Sequence, residues 1–418
     1  MQMDRRTGLI VTIASLLCVL MSVRSFGDVA RGDDPVAALR AWLKQPADHR
    51  PELAQQPFST SPLTKMQAAD AAKLLRDDQL RDLRTTRADE WKTQAITIGE
   101  HTLKWKQKFV GKKPRGGWNL FISMHGGGNA APAVNDQQWN NQIGLYSPKD
   151  SLYIAPRAPT DTWNLWHEAH IDPLFARLIA DAIALADVDP NRVYVMGYSA
   201  GGDGVYQLAP RMADSWAAAS MMAGHPNDAS PLGLRNIGFT IHVGALDNGY
   251  NRNKVALEWS DKLDQLQKDD PGGYVHEVRL HPNMGHWMNR EDADAVDWMA
   301  KFTRNPIPDK VVWKQSSVTH DGFYWLALPA GEAKGGQLAV VSRKKQSIAI
   351  EKIEGIGHLQ IMLNDAMLDL DKPVVISMNG KELFNGVPPR TVAHLHHTLA
   401  ERADPALTFP AVVLVELP

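Results

Sequence analysis

Six residues constrain this chain most: Gly197-Tyr198-Ser199-Ala200-Gly201-Gly202. Just upstream lies Arg192-Val-Tyr-Val-Met196, a β-branched and aromatic run that reads as a buried strand. Downstream, Val205-Tyr206-Gln207-Leu208 reads as the first turns of a helix. A Gly-x-Ser-x-Gly between a strand and a helix makes a sharp turn. The glycines permit it, and the serine hydroxyl is lifted clear of the strand tip. Ser199 is therefore expected to be a nucleophile. A serine hydroxyl is inert at neutral pH without a base, a carboxylate to orient that base, and donors for the oxyanion, so the rest of the chain must supply all of these.

The pattern around the motif is that of an alternating α/β unit. Ala95-Ile-Thr-Ile98 and Leu103 to Val110 read as a hairpin. Strands follow at Trp118 to Met124, Ser151 to Ala155, Ala217 to Met222, Gly238 to Val243 and Tyr274 to Leu280. Helices are expected at Ile171 to Ala186, Lys254 to Lys268 and Glu291 to Phe302. Strands alternating with helices imply crossover connections, hence a mainly parallel sheet flanked by helices, with the hairpin as an antiparallel edge. Residues 91–305 are assigned to this unit and residues 34–90 to a helical N-terminal extension. After Asn305-Pro306-Ile307-Pro308 the texture changes to short strands with a strong Asn379-Gly380 hairpin signal, so residues 310–418 read as a separate small β-rich domain.

Residues 1–30 read as a signal peptide: Arg5-Arg6, an apolar run from Gly8 to Val23, then the small residues Ser25 and Gly27. Export to the periplasm or the extracellular space is expected. The alternative is a retained N-terminal membrane anchor, for which the run is short against the roughly 20 residues of a span. The single cysteine, Cys18, lies in this segment, which leaves the processed chain without disulfides or thiol chemistry. Lysine plus arginine number 45 and aspartate plus glutamate 47, interspersed along the chain, so nothing suggests a nucleic-acid partner.

The remaining parts of the site are sought at strand ends. His125-Gly126-Gly127-Gly128 follows an early strand, and its glycines let backbone N–H groups approach a substrate oxygen; the expected oxyanion donors are Ala200 with Gly126 or Gly127. Asp247 follows the strand ending at Val243 and is the expected acid, with Asp203 and Asp228 as weaker rivals. His286, in the loop before the last helix, is the expected base; His242, His276, His281 and His225 are rivals placed in or near strands. Trp163, Trp166, His125, Tyr198, His225 and Trp287 are candidates to line the substrate pocket. His394, His396 and His397 lack a metal-ligand spacing, and Asp365, Asp369 and Asp371 lack that of a calcium loop, so no metal or other cofactor is expected.

Elbow, glycine loop, acid and base together carry a resemblance. Residues 95–304 look like the α/β-hydrolase superfamily, in which the order Ser, Asp, His is characteristic. Asp189 to Gly202 is similar to the branch of secreted esterases that includes polyhydroxybutyrate depolymerases, feruloyl esterases and acetylxylan esterases. The resemblance implies an exported serine hydrolase acting on a small-molecule or polymer ester, with no membrane partner once processed. A prolyl-oligopeptidase-like peptidase is the alternative, since such enzymes also carry Gly-x-Ser-x-Gly-Gly elbows. A polymer- or carbohydrate-binding protein with an idle hydrolase site is a third reading.

Overall fold

The computed structural model describes residues 34–417. The signal-peptide reading of residues 1–30, with Cys18, lies outside the described residues. Among those described, no helix is long and apolar enough to cross a membrane.

The chain opens with α1 (Pro35–Leu43), α2 (Lys65–Thr86) and α3 (Ala88–Thr93). Asp34 caps α1, with Pro35 at the first helical position. Thr64 and Gln67 close a reciprocal capping box at the start of α2. The chain then passes through β1 (Ala95–Ile98), β2 (His101–Val110), β3 (Trp118–Met124), α4 (Pro132–Leu145), β4 (Ser151–Arg157) and α5 (Ile171–Ala186). It continues through β5 (Val188–Tyr198), α6 (Ala200–Arg211), β6 (Ala218–Met222), β7 (Gly238–Gly244), α7 (Arg252–Asp269), β8 (His276–His281) and α8 (Asp294–Met299). The eight strands form one sheet in the order β1-β2-β4-β3-β5-β6-β7-β8. The β1–β2 and β2–β4 pairs are antiparallel and every other pair is parallel. This is the α/β-hydrolase architecture that the sequence implies. The central strands are buried along nearly their whole length because helices cover both faces, and their near-continuous apolar sequences follow from that.

Four local expectations change. Helix α6 starts at Ala200, immediately after the serine, rather than near Val205. A side chain at Gly201 would meet the Met124 and His125 carbonyls of the β3 end, so the first helical turn packs there only as glycine. Helix α4 was not expected at all. Its buried side chains are the amides of Asn135 and Gln142, which leave no apolar period to read. Strand β8 starts at His276, because Tyr274 takes a left-handed backbone (φ 56°) and donates its N–H to the Arg235 carbonyl instead of a ladder. The last helix is shorter than expected: a 3-10 turn at Glu291–Ala293 precedes α8.

The C-terminal part contains β9 (Lys310–Lys314), β10 (Gly322–Phe323), β11 (Leu326–Ala327), β12 (Leu338–Lys344), β13 (Ser347–Glu354), β14 (His358–Leu363), β15 (Val374–Met378), β16 (Lys381–Gly386), α9 (Val392–Arg402) and β17 (Ala411–Glu416). These strands form a five-stranded sheet, β16-β15-β13-β12-β9, and a four-stranded one, β10-β11-β14-β17. Asn379 and Gly380 both have positive φ in the tight turn between β15 and β16.

This part is not a detached module. Trp313, Phe323, Tyr324 and Trp325 belong to one continuous apolar core with Trp216 and Leu234 of the large unit. Tyr324 donates its N–H to the Asp214 carboxylate (3.1 Å) and its hydroxyl to the Ala213 carbonyl (3.0 Å). Arg304 pairs with Asp404 at 2.5 Å, and Arg402 pairs with Asp214. On the other side, α9 buries Leu395 and Leu399 against Leu39, Ala71 and Leu75 of α1 and α2. The N-terminal helices and the C-terminal helix therefore share a core of their own.

Candidate active site

Every residue of interest sits at the carboxyl ends of the parallel strands, where the connecting loops converge. Strand β5 delivers Ser199 with φ 56° and ψ −120°, a conformation outside the usual basins and worth on the order of 1–3 kcal/mol of strain. The surroundings hold it: the Ser199 N–H donates to the Met222 carbonyl at the end of β6, and its carbonyl accepts the first turn of α6 from Asp203. The serine thus stands at a helix N-terminus, whose free N–H groups and dipole favour negative charge.

Strand β7 ends at Gly244, and the turn that follows places Asp247 almost fully buried. The loop after β8 carries His286. These two loops are tied along their backbones, with Ala245 N–H donating to the His281 carbonyl (3.0 Å) and Leu246 N–H to the Met284 carbonyl (2.8 Å). Their register brings His286 Nδ1 to 2.8 Å from Asp247 Oδ2 and His286 Nε2 to 3.0 Å from Ser199 Oγ. With Nδ1–H donating to the carboxylate, Nε2 is left as an acceptor for the serine hydroxyl. Arg252 stands 3.7 Å from the other Asp247 oxygen.

The glycine loop after β3 reaches the same point. A Cβ at Gly126 would sit 3.1 Å from Ser199 Cβ, so this backbone lies directly against the nucleophile. The loop is stiffened from behind: Gly128 N–H donates to Asn135 Oδ1 (2.9 Å), Asn135 Nδ2 donates to Asp161 (2.7 Å), and Asp161 pairs with Arg157. Ala200, the first residue of α6, has an N–H with no intrahelical acceptor. Gly126, Gly127 and Ser199 face one cavity of about 690 Å³. Gln138 and Asn141 of α4 form one wall, and Tyr198 and Trp287 stand on the side of His286. Among the described residues, no Lys, Arg, Asp or Glu lines it.

Four of the six expected pocket residues are corrected. His125 is fully buried, with Nδ1 hydrogen-bonded to the Gly126 carbonyl (2.6 Å) and Nε2 accepting from Ala158 N–H (3.2 Å). It joins the loops after β3 and β4, and burial pushes its pKa down to about 4. Trp166 is also fully buried and donates its indole N–H to the His125 carbonyl (2.9 Å). Both side chains fill space behind the glycine loop, so neither faces substrate. Trp163 is exposed and stands edge-on to the His167 ring, and His225 accepts from Asn227 N–H; neither lines the cavity. Tyr198 and Trp287 do.

The rivals are occupied elsewhere. Asp203 accepts from His225 N–H (2.6 Å) and Asp228 from Gln207 (2.9 Å). His242 and His281 are buried against each other (3.1 Å), and His276 faces Asp264. Arg390 clamps Asp365 and Asp371, and Lys372 pairs with Asp369, which explains that acidic loop without a cation. Among the described residues, no group of three His, Cys, Asp or Glu is arranged to hold a metal, the helix carrying His394, His396 and His397 included.

The α4 wall is what sequence reasoning missed. Pro132 at the first helical position was the available signal.

No known protein family and no curated protein matches the chain in sequence. Among solved structures, a thermostable esterase aligns at 19% identity over 50% of this chain and 62% of its own, with a TM-score of 0.37. An acetyl xylan esterase from Aspergillus awamori aligns at 12% identity over 49% of this chain and 98% of its own (TM-score 0.35). LpqC, a poly(3-hydroxybutyrate) depolymerase from Bordetella parapertussis, aligns at 16% identity over 49% and 86% (TM-score 0.36). The chain thus spans less than two thirds of the thermostable esterase. Likenesses this distant carry no weight for the chemistry, which stands on the geometry of the site.

Proposed function

We propose that this protein hydrolyses carboxylic esters through Ser199, His286 and Asp247. The observation that carries the reading is the unbroken relay from the Asp247 carboxylate through the His286 imidazole to Ser199 Oγ, with both links at hydrogen-bond distance. In this reading, Oγ attacks the ester carbonyl carbon while Nε2 takes the hydroxyl proton. Asp247 holds the imidazole in the required tautomer and stabilises the imidazolium. The carbonyl oxygen becomes an oxyanion facing the Ala200 N–H and the backbone of Gly126 and Gly127. The C–O bond to the alcohol then breaks, His286 protonates the departing alcohol, and an acyl-serine remains. Water, deprotonated by Nε2, releases the acid and restores the serine.

The cavity supports a neutral ester over a peptide. A peptide brings a charged terminus, and among the described residues no lysine, arginine, aspartate or glutamate lines the cleft. Carboxamides and aromatic rings suit an uncharged substrate that bears hydrogen-bonding groups. We further propose that the chain acts after export, on the charged, apolar and small-residue order of its first 30 residues.

The test is turnover of p-nitrophenyl acetate. Ser199→Ala is expected to lower kcat by at least about 10⁴-fold in a protein of unchanged thermal stability. Wild-type turnover in that variant would remove Ser199 from the reaction.

A further inference from the structure

The segment that carries His286 has little regular structure of its own. Between the end of β8 at His281 and the 3-10 turn at Glu291 it forms neither helix nor strand. Three of its non-glycine residues take left-handed backbone: Asn283 (φ 59°), Asn289 (φ 51°) and Arg290 (φ 66°). Such conformations persist only where neighbouring contacts over-determine them.

Two tyrosine hydroxyls supply such contacts. Tyr198 donates to the His286 carbonyl at 2.6 Å and accepts from the Met288 N–H at 3.0 Å. At the far end, the Tyr146 hydroxyl donates to the buried Asp292 carboxylate. Burial raises the pKa of both phenols, so each remains a hydroxyl donor at every working pH. Tyr198 is also the residue bonded to Ser199, at the tip of β5. One side chain therefore sets the height of the histidine loop relative to the nucleophile beside it.

We infer that Tyr198 is a positioning residue of this site: its hydroxyl holds the His286 and Met288 backbone in the register that keeps the imidazole between Ser199 and Asp247, and Tyr146 anchors the same segment at Asp292. This deepens the ester-hydrolase reading and rests on it. The Tyr198 ring also packs near His286 and Trp287, with centroids 6.0 and 5.6 Å apart. A phenylalanine keeps those ring contacts and removes only the hydroxyl.

Tyr198→Phe is the test, with p-nitrophenyl acetate as the probe. A displacement of the base by an ångström costs up to about 100-fold, so kcat is expected to fall roughly 10- to 100-fold with KM unchanged. The acidic limb of the kcat/KM profile shifts to lower pH, because a looser Nδ1–H bond to Asp247 stabilises the imidazolium less. The low-field proton NMR signal of that Nδ1–H broadens or disappears. Tyr146→Phe gives the same signs at smaller size, and it stands in if Tyr198→Phe does not fold.

A purely structural tyrosine would lower the melting temperature and leave turnover per folded molecule, the pH limb and the proton signal in place. A substrate contact would raise KM alone. Either result overturns the inference. If the wild type turns over no ester, the ester reading fails, and the proton signal in the two variants still decides whether the clamp exists.

Discussion

Among the described residues, two His–Asp pairs come within 3 Å, and they are built from the same groups to different ends. In the cleft, His286 Nδ1 meets Asp247 at 2.8 Å and its Nε2 faces the Ser199 hydroxyl at 3.0 Å. At the junction with the β-rich part, His320 Nε2 meets Asp172 at 2.7 Å, and Arg211 binds the other Asp172 oxygen in full burial. A second cavity, of about 470 Å³, opens beside this pair. The carboxylate of Asp172 is already compensated by a guanidinium, whereas the cation nearest Asp247 is Arg252 at 3.7 Å. A His–Asp pair becomes a candidate catalytic device when a strained turn sets a hydroxyl against the free imidazole nitrogen. Without one it is a structural tie between two parts of the chain.

The largest expected effect separates the two pairs by activity. His286→Ala is expected to lower kcat on p-nitrophenyl acetate by about 10⁴-fold or more, while His320→Ala leaves it at the wild-type value. Comparable losses in both variants would mean that the junction contributes to the site and that the contrast is false.

The second effect separates them by stability. Asp172→Asn leaves the buried Arg211 with a neutral partner, and the expected cost is about 3–5 kcal/mol of unfolding free energy by urea titration. Turnover per folded molecule should not change. Asp247→Asn should behave in the opposite way, with a kcat loss near 10⁴-fold and a small change in stability. An Asp172→Asn protein as stable as the wild type would show that the junction pair carries no charge worth compensating.

Legibility in the sequence follows the same division. The strands and the residues at their tips could be read because each depends on neighbours a few positions away: β-branched runs, a glycine-flanked serine, and an aspartate and a histidine just past a strand. The junction could not be read. Asp214 and Arg402 meet across 188 positions, and nothing local in either segment announces the other. That is why the β-rich part looks autonomous in sequence and shares its core with the large unit in space. His125 and Trp166 were misplaced for a different reason. Proximity to a loop along the chain says nothing about which way a side chain turns, and both turn inward to support the glycine loop. Helix α4 escaped because its buried positions are amides, so the wall of the cleft is written in residues that hydropathy does not detect.

His125 gives the smallest effect and extends the contrast to a histidine with no carboxylate partner. Burial pushes its pKa down from 6.5 to about 4, and its two hydrogen bonds suit the neutral ring. The unfolded chain binds a proton near pH 6.5 and the folded one does not until about pH 4. Between those values the unfolded state holds more protons, so stability falls as pH falls, by on the order of 3 kcal/mol over the window. Asp203 works in the opposite sense: burial raises its pKa from 3.8 to about 6, so its folded form holds the extra proton and gains stability as pH drops through that range. The net slope of the wild type mixes these two with other buried groups such as His167, His242 and Asp181, and the informative quantity is the difference between wild type and His125→Gln. That variant lacks the titrating ring, and its stability should fall less than the wild type's from pH 6.5 to pH 4, whatever the substitution costs at neutral pH. Parallel slopes in the two proteins would mean that His125 is protonated in the fold. The tautomer that joins the loops after β3 and β4, and with it the rigid seat of the glycine loop, would then need another explanation.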